Sequence, residues 1–529
     1  MISRGIPCAA LLLLALAAAP ARATTAVVPD SFPTVQAGID SGRDTVFVKS
    51  GRFNEDLVVN HGLSLLVYPP SSSYGETSLP QVGSLTFPGP CSPEPAVCAS
   101  GALLVRGFRF HGPVRLTYPG TAGPYYNVRF ETCRMDSGLL GSATAQLNFH
   151  TLDVSGCTIL GGMSVSAMGV NLSLNSVYGG GITVDVEGYG TIQGNYVHGP
   201  AVCGIAGGCD GGTQIVGNTV VATETGIRPT HFPILLADNE VMDCSGSGIV
   251  VAGSGMGTYR DNQVARCGGY GIEIGAPHLS TLEGNQVVGC ASGGMRVAGI
   301  CTADSNVVGR CGGPGFDIAQ GSLRRNTSYL NRGAGFVVRD GIENISNNIA
   351  FGNLGCGLVW DAAAAPDSIG CNDWYENDAG TVSGTAAGVT DVSLNPLFCN
   401  LPDDDVHLSA GSPLLSLGSC GLVGALGQGC LEAVGVPPEW KPGIHTFTVS
   451  PNPSRGEVQF AWSGTARPEW VDVYDVTGAR RWGRALEPGA SRLTWTGTDQ
   501  EGRRLSAGVY YARLTGKGTS ATAGVVLVQ

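Results

Sequence analysis

An asparagine returns every 20 to 23 residues through the middle of the chain, at Asn195, Asn218, Asn239, Asn262, Asn285, Asn306, Asn326 and Asn348. A beat of that length marks a repeat architecture, in which each block forms one unit that can bury its apolar face only against its neighbours. The blocks align beyond the asparagine: Asn262-Gln-Val-Ala-Arg-Cys267 with Gly271-Ile-Glu-Ile274, then Asn285-Gln-Val-Val-Gly-Cys290 with Gly294-Met-Arg-Val297, then Asn306-Val-Val-Gly-Arg-Cys311 with Gly315-Phe-Asp-Ile318. One block therefore reads as one coil of a solenoid.

Faces follow from the alternation within each block. The third residue before the asparagine is apolar (Ile192, Ile215, Leu236, Tyr259, Leu282, Leu323, Ile345), and the second after it is Val (Val197, Val220, Val241, Val264, Val287, Val308). A Gly-led segment adds an inward pair such as Ile249 with Val251 or Ile272 with Ile274. Period-two alternation in three short runs predicts three strands per coil around an apolar interior. The expected role of the repeated asparagine is structural: it tolerates a left-handed bend, and its amide can bond the same amide one rung away. Five residues on, Cys244, Cys267, Cys290, Cys311, Asn331 and Asn353 form a second row. One thiol per rung makes a line about 4.8 Å apart rather than a tetrahedron, so the row reads as stacked, mostly unbridged thiols and not a zinc site.

Composition agrees: 81 of 529 residues are Gly and 14% are charged, as suits a chain that turns every few residues. The net charge of −12, with Lys49 the single lysine before Lys441, offers no basic stripe for nucleic acid. Residues 11–19 are a short apolar run after Arg4, and Ala21-Arg22-Ala23 resembles a cleavage site, so 1–23 is expected to be a secretory signal, placing the mature chain outside the cell or on its outer surface. No later run is long enough to predict a transmembrane helix. Sixteen cysteines then remain in an oxidising setting, with Cys91 and Cys98, Cys203 and Cys209, and a group of Cys399, Cys420 and Cys430 as the expected disulfide partners.

Two resemblances extend this reading. The opening PTVQAGIDSGRDTVFVKSGRFNEDLVV, with Val35 and Ile39 four apart on a short helix that would cap the first coil, resembles secreted right-handed parallel β-helix proteins of the pectin-lyase-like superfamily. Near the other end, Pro451-Asn452-Pro453, Tyr474-Asp475-Val476-Thr477-Gly478, Asp499 with Gly502, and Gly508-Val509-Tyr510 resemble the sorting domain of type IX secretion cargo and the related immunoglobulin-like domain of flagellar hook-capping proteins. Trp495-Thr496-Gly497 and the terminal Gln529 depart from that family's usual Trp-Asp-Gly and basic end. The expected all-β organisation is a solenoid over 24–430, capped at about 30–60, with regular coils at about 130–372 and a closing segment at 373–430. A linker at 431–444 and a small immunoglobulin-like β-sandwich at 445–529 would follow, the latter engaging sorting machinery.

Catalysis, if present, belongs on an outward face. The outward residue of the Gly-led strand runs Thr183, Arg228, Val250, Glu273, Arg296, Asp317, Val337 and Val359. Glu273 and Asp317 should lie two rungs apart, about 9.6 Å, near the upper end for an inverting pair of carboxylates. Arg296 between them favours an ion-pair ladder over a general acid, yet the three remain the catalytic candidates. His231 and His278, near one phase, are weaker. No cofactor is expected; Asp403-Asp404-Asp405 lacks the glycine-spaced loop of a calcium site and reads as a solvated turn. Two function classes stay open: a surface protein binding an extracellular polysaccharide or another surface component, and a polysaccharide lyase or glycoside hydrolase.

Overall fold

The computed structural model describes residues 24–69, 79–87, 102–117, 126–142, 149–230, 234–252, 255–275, 278–363, 365–432, 444–464, 468–487, 490–516 and 519–528. The expected signal at 1–23, the Cys91 and Cys98 pair, and His231 lie outside them, as do most of the linker and the side chain of His278. The chain divides into two compact units, Met1–His198 with Gly208–Gly211, and Gly199–Gly207 with Gly212–Gln529.

Both units contain coils of parallel strands in three rows. In one coil of the second unit the strands are Ile249–Val251, Gly255–Arg260 and Gln263–Ala265, and each pairs in register with its counterpart one coil on: Ile249 with Ile272, Tyr259 with Leu282, Val264 with Val287. Ile249, Val251, Tyr259 and Val264 are buried, as the alternation predicts. Close packing imposes the glycine that leads the first strand: a Cβ on Gly271 would collide with Val287 Cγ1. In the first unit the rungs begin at Thr25–Val28 against Thr45–Lys49, long before the asparagine beat.

The asparagines form a buried ladder at the turn between the second and third strands. Asn239 Nδ2 and its backbone N–H both donate to Asn262 Oδ1, at 2.9 and 3.2 Å. Asn262 in turn donates from Nδ2 to Asn285 Oδ1 and to Leu236 O, at 2.9 and 3.1 Å. An interior amide such as that of Asn262 thus makes four hydrogen bonds in a buried site, which turns an expensive buried polar group into a register lock. The ladder ends on an acceptor: Asp391 Oδ1 takes Asn372 Nδ2 and N–H, while Oδ2 takes Trp374 Nε1 and Gly388 N–H. In the first unit it starts on thiols, Cys133 N–H donating to Cys157 Sγ and Cys157 N–H to Asn175 Oδ1.

The left-handed bend is not on the asparagine, as the sequence reading had it, but one residue earlier. Leu174, Asp238, Asp261, Ser305, Arg325, Asn347 and Cys371 have φ between 55° and 61° or close below, and Gly194, Gly217 and Gly284 take the same place. The second turn repeats the rule at Ala222, Asp243, Arg266, Arg310, Leu330 and Glu376, each just before the second ladder. Non-glycine residues in this conformation cost about 1–2 kcal/mol each, a cost the ladder bonds offset. That second ladder holds Cys244, Cys267, Cys290 and Cys311 as free buried thiols, then Asn331, Asn353 and Asn377 bonded amide to amide.

The cysteine pairing differs from expectation. Cys399 bonds Cys430, but Cys420 bonds Cys371, 49 residues away. Cys203 and Cys209 are not bonded to each other. They begin and end one extended strand, Cys203–Cys209, which separates them by about 20 Å, far beyond disulfide reach.

The ends are closed as amphipathic logic requires. Val35–Asp40 is a helix with Thr34 accepting from Ala37 N–H, and it buries Val35 and Ile39. At the other end, Phe398, Leu401, Val406, Leu408, Leu414 and Val423 share a core with Val307, Tyr329, Leu330, Ile349 and Phe351. The closing segment therefore lies along the outward face of the third strand row. Asn347 Nδ2 fixes it by donating to Cys420 O and Leu422 O, both at 2.9 Å. Within it the acidic run is engaged by side chains: Asp403 by Asn400, Asp404 by Arg310 and Tyr329, Asp405 by His407.

Residues 444–528 form a three-stranded and a four-stranded antiparallel sheet around a common core of Val458, Phe460, Val471, Val473, Trp495, Tyr510 and Leu514. The sequence motifs here are turns. Asp475 Oδ1 accepts Thr477 and Ala479 N–H, Asp499 Oδ1 accepts Glu501 and Arg503 N–H, and Gly478 and Gly502 supply φ of 84° and 81°.

Two outcomes test this account. Asn262→Ala leaves buried donors of Asn239 without an acceptor and should lower unfolding stability by about 2–4 kcal/mol in chemical denaturation, with hydrogen exchange rising first in that coil. Asp373 is buried, its Oδ1 takes Leu394 N–H at 2.8 Å and its Oδ2 has no partner among the described residues. Burial raises its pKa from 3.8 to about 8, the Leu394 bond opposing. The folded chain therefore holds an extra proton between those values, and stability falls as pH rises through that window. Asp373→Asn should melt above the parent near pH 8, with the gap closing near pH 4.

Candidate functional site

The first strand row brings Glu273, Arg296 and Asp317 into one line. Glu273 is the register partner of Arg296, and Arg296 of Asp317, so the two carboxylates are two rungs apart as the repeat predicts. The inward neighbours Ile272, Ile274, Met295, Val297, Phe316 and Ile318 are buried and hold the strands flat. The three candidates share a face, but they are not equally placed.

Glu273 and Arg296 form a loose, exposed pair at 3.7 Å, with Arg296 5.6 Å from the centre of the Tyr270 ring and Ser247 Oγ donating to Glu273 at 3.3 Å. Asp317 is only 7% exposed, and its partner is Arg339, which donates to both carboxylate oxygens at 2.6 and 3.1 Å. Arg339 continues to Asp361 at 3.4 Å. A carboxylate gripped at both oxygens by one guanidinium is engaged as an ion-pair acceptor. The line is thus a ladder, Glu273 to Arg296 and Asp317 to Arg339 to Asp361. Arg339 and Asp361 escaped the sequence reading because they lie two residues past Val337 and Val359, beyond the inward–outward–inward triplet: Arg339 is on Phe336–Ser346, which continues for eleven residues, and Asp361 follows Leu358–Trp360.

The second row shows the same self-neutralisation. Arg260, Glu283, Asp304 and Arg324 are in register, and Asp304 is held by Arg325 at 2.6 and 2.8 Å. Burial opposes ionisation of Asp304, but Arg325 and Ser305 outweigh it and hold its carboxyl below the usual range. A thiol in the middle of the second ladder is likewise quiet. At Cys290 the bond with Cys267 lowers the pKa, but the bond with Cys311 and burial carry it up to about 12, so it stays a neutral thiol. Among the described residues no group of three or more His, Cys, Asp or Glu side chains is placed to hold a metal ion, and no helix is long and apolar enough to cross a membrane.

Comparison with known proteins bears on the fold. The family model described as a right-handed beta helix region matches residues 155–299 and 226–372. No curated protein matches the chain. Among solved structures, dimeric latent PorU from Porphyromonas gingivalis is 19% identical over 18% of this chain and 10% of that one, with a TM-score of 0.15. The Dettilon tailspike protein is 12% identical over 92% and 81% (0.31), and the bacteriophage CBA120 tailspike protein 3 is 12% identical over 67% and 59% (0.34). The chain spans a tenth of PorU's length and under two thirds of the CBA120 protein's. With the rungs described above, the family match makes this a right-handed parallel β-helix solenoid.

Arg339→Leu removes two hydrogen bonds to a buried carboxylate, one on each oxygen. It should cost about 2 kcal/mol in chemical denaturation, recovered in part when Asp317→Asn is added; additive effects of the two changes would show that the pair is not coupled.

Proposed function

We propose that the chain is an exported, extracellular solenoid that binds glycan or another surface component through its strand faces and performs no chemistry on it. The observation that carries this reading is the capture of Asp317 by Arg339, which removes one member of the carboxylate pair that hydrolysis or proton abstraction would need. Coil length adds support: between Asn239 and Asn348 successive asparagines are 20 to 23 residues apart, which leaves few residues for the walls of a cleft. The disulfides Cys371–Cys420 and Cys399–Cys430 fit an oxidising compartment.

The C-terminal residues are, in the same proposal, an immunoglobulin-like sorting or attachment module. Supporting this, Tyr510 OH donates to Ser506 O four residues upstream at 2.8 Å, the bond of a tyrosine corner, beside a core built on Trp495 and Phe460.

The test is a retention assay of the purified mature chain on acidic and neutral polysaccharides, scored together with new reducing or unsaturated ends. Retention without cleavage is expected. Cleavage abolished by Glu273→Gln or Asp317→Asn would replace the binding reading with a lyase or hydrolase centred on Glu273, Arg296 and Asp317.

A further inference from the structure

The turn that carries the second ladder also builds one wall of a cleft. Successive coils place Arg266, Gly289 and Arg310 at one position of this turn, and Ala291, Gly312 and Arg332 at the position two residues on, where Arg332 N–H donates to Cys311 O one coil back at 2.8 Å. Gly289 leaves the middle of this wall open. Its backbone is left-handed like that of Arg266 and Arg310, with φ of 70° against 53° and 54°, and a Cβ there would meet nothing nearer than Arg266 Cγ at 3.9 Å. The turn accepts a side chain on the coils to either side, so the gap is not forced by the backbone.

The facing wall belongs to the sandwich. On Val458–Gly464 alternation buries Val458, Phe460 and Trp462 and turns Gln459, Ala461 and Ser463 the other way, and Arg492 is the register partner of Ala461. The two walls bound a cleft of about 620 Å³ within the second unit, a size in the range of small-molecule sites. Among the described residues no lining side chain bonds across it. Arg266 is held on its own wall by Asp243 and Met242 Sδ, Arg310 by Asp404 and Leu401 O, and Thr446 and Ser463 bond each other.

Charge and hydrogen bonding are both unbalanced there. The described lining residues include no carboxylate. Asp243 answers Arg266 and Asp404 answers Arg310, but the side chains of Arg332 and Arg492 have no partner among the described residues, which leaves one guanidinium charge over on each wall. Exposed arginines alone are ordinary solvated groups. Trp462 supplies an independent observation: it lines the same cleft, is only 6% exposed, and its buried indole N–H, which can only donate, has no acceptor among the described residues.

We propose that this cleft binds a phosphate group, of inorganic phosphate or of a phosphate monoester, between Arg332 and Arg492, with the Trp462 indole as a further donor. Guanidinium forks match both carboxylate and phosphate, so the number of oxygens and the charge decide between them. A phosphate monoester brings three acceptor oxygens and about −1.5 to −2 charge at pH 7, enough for a different oxygen to meet each donor and for the two unanswered guanidinium charges to be balanced. A carboxylate is planar, offers two oxygens and carries half that charge. An occupied cleft ties the sandwich to the solenoid at a place where the empty walls present like charges to each other. The site is separate from the strand faces of the proposed function.

Calorimetric titration of the intact chain with inorganic phosphate, glycerol 3-phosphate and acetate, at low ionic strength, tests this. Both phosphate probes should bind, and acetate at least about tenfold more weakly. A tighter Kd for glycerol 3-phosphate assigns the site to a monoester, and a Kd no tighter than that of inorganic phosphate assigns it to the free ion. Arg332→Gln and Arg492→Gln should each raise the phosphate Kd about tenfold, the effect of losing one bond to a charged group. Trp462→Phe, which keeps a ring in the core and removes the N–H, should weaken binding severalfold. Arg513→Gln, an exposed arginine of the four-stranded sheet outside the cleft, should leave Kd unchanged. Thermal melts of each variant, with and without phosphate, check the fold, and the gain in melting temperature that phosphate gives the parent should shrink in both cleft arginine variants. An unchanged Kd in the Arg332→Gln, Arg492→Gln double variant overturns the proposal, as does binding of acetate as tightly as phosphate. Failure of both phosphate probes to bind overturns it too, and so does an equal loss in Arg513→Gln, which would reduce the effect to net charge.

Discussion

Everything in the solenoid depends on rungs staying in register, and the buried amide ladder is what makes slippage expensive. Backbone bonds alone would tolerate a shift of one residue, since every rung offers the same donors and acceptors. A shift would strand an asparagine amide that now makes four hydrogen bonds, such as Asn262 between Asn239 and Asn285, in an apolar interior. The ladder thereby fixes which residues face inward, and it sustains the left-handed residue before each rung. It also explains the terminus: Asp391 can only accept when ionised, so it satisfies Asn372 without demanding another amide beyond it.

The asparagine beat made the coil, its three strands and the inward positions legible, because burial in a solenoid repeats with the sequence. Register carried the prediction outward as well, to the line of Glu273, Arg296 and Asp317. What escaped was whatever does not repeat. Cys133 and Cys157 hold the ladder position but differ in residue type, so the asparagine beat does not reach the coils before Asn175. The Cys371–Cys420 bond joins a turn of the solenoid to a segment with no periodicity, and only the packed chain brings them to 5.5 Å between Cα atoms. Cys203 and Cys209 looked like a pair because they are close in sequence, but a strand converts six residues into distance. Arg339 was hidden by the length of its strand, and the partner of a carboxylate decides its role.

Free thiols and disulfides coexist here for a physical reason. The bonded cysteines tie the closing segment, where no neighbour on both sides supplies a ladder. Cys244, Cys267, Cys290 and Cys311 instead lie in the packed interior, and for the first three the bond to the next thiol together with burial keeps the thiol protonated. Disulfide formation needs a thiolate and access for an oxidant, and the solenoid withholds both. Covalent bonds are placed where the repeat stops.

The same contrast bears on where a solenoid can have a binding site. A face built of identical rungs presents the same chemistry every 4.8 Å or so, and charges on it are neutralised by their neighbours one rung away. The pairs of Asp317 with Arg339 and Asp304 with Arg325 illustrate this: opposite charges one coil apart engage the groups that a reaction would require. Recognition needs asymmetry along the axis. The features that broke the repeat, and so resisted reading from its beat, are for that reason the ones with chemistry left to offer.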